Sequence, residues 1–153
     1  MPIDNTDLNN AKIYAPPAED VTIELSDEEM IVLIGLRMAQ RLSHKTSLEA
    51  GWYNDPENPD GGKIKRNFGE VISLMHSELS EALEHDRKGT MDDKLPHRDG
   101  REVEFADCII RILDTAEALG LDIAGALIEK NRFNQQRDDH KLENRGKVGG
   151  KKY

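Results

Sequence analysis

Cysteine is nearly missing from this chain of 153 residues: Cys108 stands alone. A single thiol excludes an internal disulfide and a cysteine-rich zinc site, and fits a reducing compartment. Aromatic residues make up 5% of the chain, too few for a platform that stacks single-stranded bases. No apolar run approaches the length of a membrane span, and the start lacks a basic segment followed by an apolar one. The expectation is a cytoplasmic protein with no membrane partner. Positive charge is short as well. A formal net charge of −9 makes the chain a poor general binder of nucleic acid backbones. It remains compatible with an anionic small substrate if metal ions bridge the repulsion. The length suffices to bury a core without staples.

What is present reads as helices. Residues 1–25 carry Pro2, Pro16 and Pro17 among Asn and Asp, and predict an extended N-terminal arm. Val21–Leu25 alternates and suits a short strand or an extended lead-in, with pairing across a dimer as a further reading. Ser26 and Glu29 have capping-box spacing and open a first helix. Its stripe is Met30, Leu33, Ile34, Met38 and Leu42, and it is expected to run roughly 17 residues, to Ser43-His44. Thr46–Ala50 reads as a separate short turn of helix before Gly51. Residues 55–62 are a dense turn signal. A second helix is expected over 69–87, with Ile72, Met75, Leu79, Ala82 and Leu83 inward and Gly89 after it. A third is expected over 100–119, with Phe105, Ile109, Ile112, Ala116 and Leu119 inward and Gly120 as its stop. Asp122 caps a fourth over 123–137, with Ile123, Ala126 and Leu127 inward, and residues 138–153 form a polar tail. The fold class predicted is all-α, a four-helix core within 26–137.

Two acidic pairs stand out, Glu78 with Glu81 and Glu104 with Asp107. Their i, i+3 spacing puts both carboxylates of a pair on one helix face. On an ideal helix the second acid of each pair lies about 60° from the first, and both pairs border an apolar stripe. Spacing alone leaves two readings open: solvated helix faces, or a hard-cation site formed where the two helices meet. The di-iron alternative needs Glu-x-x-His on two helices. The residues three before the five histidines are Arg41, Ser73, Ala82, Lys94 and Arg137, so that motif is absent. An oxygen-only site favours Mg²⁺ or Mn²⁺.

The pattern Glu78-x-x-Glu81, 22 residues, then Glu104-x-x-Asp107 resembles the MazG-like all-α nucleoside triphosphate pyrophosphohydrolase superfamily. The text around it, His76-Ser77-Glu78-Leu79-Ser80-Glu81-Ala82-Leu83 and Glu104-Phe105-Ala106-Asp107-Cys108-Ile109-Ile110-Arg111-Ile112, is similar too. Lys130, Asn134 and Arg137 match a further Lys-x3-Asn-x2-Arg pattern in relatives, and the likeness covers about residues 28–137. The arm and residues 54–62 depart from it. The resemblance implies hydrolysis of a (deoxy)nucleoside triphosphate to its monophosphate and pyrophosphate, with purine deoxynucleotides such as dGTP as first candidates. It implies that Glu78, Glu81, Glu104 and Asp107 bind Mg²⁺, with Mn²⁺ as a substitute, and that Glu81 lies nearest the attacking water. It implies a homodimer or homotetramer of bacterial or phage type.

Arg111 continues the line of Glu104 and Asp107 and suits either phosphate or an ion pair with Asp107. Lys130, Asn134 and Arg137 suit phosphate and sugar. Lys63, Lys65 and Arg66 read as a solvated basic patch, Trp52 as a core anchor, and His44 as a solvated helix end. Two other functions share these features: phosphoribosyl-ATP pyrophosphatase, and a non-catalytic helical oligomer that binds nucleic acid or a protein.

Overall fold

A computed structural model describes residues 24–58 and 60–148. The expected arm, apart from Glu24 and Leu25, lies outside the described residues, as does most of Val21–Leu25. The described residues are all-helical, with no strand among them. Four long helices follow one another: α1 (Asp27–Glu49), α2 (Phe68–Lys88), α3 (Gly100–Leu119) and α4 (Ile123–Gln136). A 3-10 turn at Asp138–His140 and the short α5 (Leu142–Arg145) come last. Among the described residues no helix is long and apolar enough to cross a membrane.

Helix ends fall where local chemistry satisfies the free backbone groups. Ser26 N–H donates to Glu29 Oε2 at 2.9 Å and Glu29 N–H to Ser26 Oγ at 3.2 Å, the reciprocal capping box. α1 does not stop at Ser43-His44 but takes in Thr46–Glu49 as well. Polarity changes there, yet no glycine or proline breaks the chain until Gly51, whose φ is +80°. Asn67 caps α2 through Gly69 N–H and Glu70 N–H, and Gly89, at φ +64°, closes it. Asp99 caps α3, and Asp122 caps α4 by accepting from Gly125 N–H.

The chain divides into two compact units; among the described residues the first is 38–121 and the second is 24–37 with 122–148. In the first, α2 and α3 form a hairpin around a core of Val71, Met75 and Cys108, with Ile72 at its edge. A buried acid, Asp114, ties the hairpin to the end of α1 and the loop after it. Its carboxylate lies 2.8 Å from His44 Nδ1 and accepts from Tyr53 OH at 2.8 Å and Arg66 Nη1 at 3.4 Å. In the second unit Arg132 Nε donates to Glu29 Oε1 at 2.6 Å, and Arg37 pairs with Asp122 at 2.9 Å. The Arg132 hydrogen bonds hold Glu29 down at about 2.

Several of the large apolar side chains expected to face inward do not, although Met75 does. α2 buries Val71, Met75, Glu78 and Ala82, while Leu79 and Leu83 are exposed. α3 buries Glu104, Cys108, Leu113, Asp114 and Ala116, while Phe105, Ile109 and Ile112 are exposed. Met30, Ile34, Met38 and Leu42 of α1 and Leu127 of α4 are exposed too. On α2 the buried sector is centred about 30° from Glu78 and the large apolar sector beyond about 100°. Periodicity finds the apolar face of a helix but not the neighbour that covers it. Here α2 and α3 meet along a face that carries Val71, Met75 and Cys108 together with the acids Glu78 and Glu104. Three other readings change: Trp52 is exposed and the anchor is Tyr53 beside it, Arg66 is held by Asp114 rather than freely solvated, and His44 lies within α1 against Asp114 rather than at a solvated helix end.

Candidate metal centre

The α2–α3 hairpin brings three of the four expected acids together. One carboxylate oxygen from each of Glu78, Glu104 and Asp107 lies within 4.8 Å of the others. Glu78 and Glu104 are buried and Asp107 is exposed. The geometry follows from register: the hairpin runs antiparallel, so the acidic edge of α2 meets the acidic edge of α3. Glu81 is exposed and stands outside the trio, although its charge reaches Glu104.

Carboxylates packed this closely repel, and burial withholds the water that would screen them. Glu104 is raised from its ordinary value of 4.5, first by burial and then by Glu78, Glu81 and Asp107. Asp107 is raised from 3.8, by loss of solvent and by Glu78, with Arg111 opposing. Arg111 offsets part of the charge directly. Its Nε donates to Glu78 Oε1 at 2.7 Å, so its ion pair crosses to α2 instead of following the helix to Asp107. Three convergent carboxylates, two of them dry, are a donor set that suits a hard divalent cation.

A second group adjoins the first and shares Glu104: His85, Asp92 and Glu104, again with ligand atoms within 4.8 Å. The sequence reading passed over both new members. His85 follows Glu78 by seven residues and Glu81 by four, so it continues their line along α2. That spacing was legible; the contribution of Asp92, from the 90–99 loop, was not.

Lys130, Asn134 and Arg137 belong to the second unit. Lys130 Nζ lies 4.7 Å above the Phe133 ring, and Arg137 is paired with Asp139 through Nε at 2.9 Å. Asn134 and Arg137 line a cleft of about 460 Å³ with Asn131, Gln135, His140 and Lys141. Asn134 Oδ1 is buried and has no hydrogen-bond partner. The other sequence-derived candidates, Glu78, Glu81, Glu104, Asp107 and Arg111, all lie in the first unit.

Comparison with protein families, with curated proteins and with solved structures found no match.

Proposed function

We propose that the chain is a MazG-like, metal-dependent nucleoside triphosphate pyrophosphohydrolase, acting on deoxynucleotides with dGTP as the first candidate. The observation that carries the reading is the meeting of Glu78, Glu104 and Asp107 across two helices, with Glu78 and Glu104 buried. Such a set is costly without a cation and suits Mg²⁺, with Mn²⁺ as a substitute. The ion, when bound, neutralises the triphosphate and makes water more acidic.

Each residue then has a task. Glu78, Glu104 and Asp107 hold the cation. Glu81, exposed and outside the trio, is free to take the proton of the attacking water. The water oxygen bonds to the α-phosphorus, the bond from that phosphorus to the bridging oxygen breaks, and pyrophosphate leaves with the electron pair. Arg111 steadies Glu78 and lies near enough to the trio to meet a phosphate oxygen. The resemblance gives Lys130, Asn134 and Arg137 of the second unit to phosphate and sugar, and the unpartnered Asn134 Oδ1 supports a ligand at the cleft of that unit.

The assembly proposed is a homodimer or homotetramer built on a four-helix bundle, in a bacterial or phage-infected cytoplasm. Its support is the row of large apolar side chains left outward on α1, α2 and α3. Apolar patches of that kind mark an interface more often than a bare surface.

The test is a panel of triphosphates with Mg²⁺ or Mn²⁺, following monophosphate and pyrophosphate. Wild type should release pyrophosphate, and Glu81→Gln should abolish turnover while the helical spectrum stays unchanged. Release of single phosphates, or of nothing with either metal, would sink the reading.

A further inference from the structure

The histidine beside the acidic trio has a built setting. His85 Nδ1 lies 2.8 Å from Thr90 Oγ1, and His85 Nε2 lies 3.6 Å from Glu104 Oε1. With Thr90 accepting the Nδ1 proton, Nε2 presents a lone pair to the carboxylate. A hydrogen bond on the far nitrogen is how proteins fix the tautomer and aim of a metal-ligating imidazole. The ring also sits where a side chain would otherwise be. A Cβ at Gly100 would fall 2.0 Å from His85 Nδ1 and 2.2 Å from Cγ, so only glycine at the first turn of α3 leaves room for it.

The two carboxylates facing the imidazole are both buried. Glu104 is 8% exposed, and its neighbours are the Glu78 carboxyl, with which it shares a side-chain hydrogen bond, and His85 Nε2 at 3.6 Å. Asp92 is 6% exposed. One of its oxygens accepts from Lys94 N–H at 3.0 Å and from Leu95 N–H, and the other has no partner among the described residues. Asp92 N–H donates to Arg98 O at 3.1 Å, and Gly100 N–H to Thr90 O at 3.2 Å, so the 90–99 loop is pinned at both ends.

The geometry points to a second cation site, formed by His85, Asp92 and Glu104, that shares Glu104 with the oxygen-only group and takes a transition-metal dication. One imidazole nitrogen with two carboxylates favours such an ion over Mg²⁺, which binds through oxygen and keeps its waters. Hydrolysis of triphosphates is not needed for this inference, because the readout is the binding of the metal itself.

The experiment titrates the full chain with Co²⁺, by calorimetry and by visible absorption, with and without excess Mg²⁺. Wild type should bind Co²⁺ at a site that excess Mg²⁺ does not empty. Asp92→Asn keeps the oxygen that accepts from Lys94 and Leu95 and removes the charge. It and His85→Gln should each weaken that site by more than the roughly 10–100-fold that outer-shell changes cost. Gly100→Ala should weaken it through the ring alone, whereas Asp107→Asn should leave it in place. Circular dichroism of each variant shows whether the hairpin is kept, and Asp92→Asn serves if His85→Gln does not fold. If Mg²⁺ displaces all Co²⁺ from wild type, or if Asp92→Asn and His85→Gln bind Co²⁺ like wild type, the contact is an imidazole–Glu104 pair and the proposal is overturned. Absence of pyrophosphate release from protein that does hold Co²⁺ would count against the hydrolase reading and not against this site.

Discussion

Arg111 Nε and Glu78 Oε1 lie 2.7 Å apart, joining α3 to α2 at the edge of the acidic trio. The pair neutralises one of three crowded carboxylates, and so competes with any cation for Glu78. Arg111→Gln should therefore move two quantities in opposite directions. Stability without divalent ions should fall by about 1–2 kcal/mol, a figure discounted because the Arg111 side chain is 35% exposed. Affinity for Mg²⁺ should rise. Thermal melts with and without Mg²⁺ measure both.

Glu104 and Asp107 also set a pH dependence. Both are raised above their ordinary values of 4.5 and 3.8. The folded chain then holds protons that the unfolded chain has released, so the contribution of these two groups to metal-free stability should fall as pH rises through these values and above them, against the opposite contribution of Glu29, which is held down at about 2. A divalent cation should reverse the trend, and its binding should release protons. Denaturation across pH with and without Mg²⁺ checks the sign. A Glu104→Gln, Asp107→Asn variant whose metal-free stability changes with pH just as that of wild type would contradict it.

Asp114 anchors three side chains while only 2% exposed. Asp114→Ala leaves Arg66 without its counter-charge and the Tyr53 hydroxyl without an acceptor. The expected loss is about 3 kcal/mol, seen as a lower urea midpoint with an unchanged slope. Burial and Asp114 together push the Tyr53 phenol up to about 12, so in the variant it should titrate closer to 10.0.

Leu83 and Ile109, 60% and 54% exposed, lie on the outward apolar faces of α2 and α3. Leu83→Asp or Ile109→Asp should cost the isolated fold within about 0.5 kcal/mol, as surface changes do. If those faces join copies of the chain, light scattering should report a smaller particle for each variant than for wild type.

Helix boundaries were the most legible feature of the sequence, because Ser26, Gly89, Gly120 and Asp122 act within a residue or two of where they stand. The acidic edge was legible for the same reason, since i, i+3 spacing needs only helical geometry. The direction of the apolar stripes was not. Leu79 and Phe105 mark an apolar face, but the sequence does not say whether that face meets another part of the chain or a second molecule. The end of α1 was misplaced because polarity changes at Ser43-His44 without any residue that stops a helix. The Asp114 hub joins residues separated by 48 to 70 positions, a distance over which no periodicity carries information.

Gly100 and His85 are bound together as heritable positions. Any substitution at 100 places a carbon inside the imidazole ring's space, so it penalises histidine at 85. Loss of that histidine would in turn free position 100 to drift toward alanine, the better helix former. In chains that share this hairpin, glycine at the head of the third helix and histidine near the end of the second should be kept or lost as one trait.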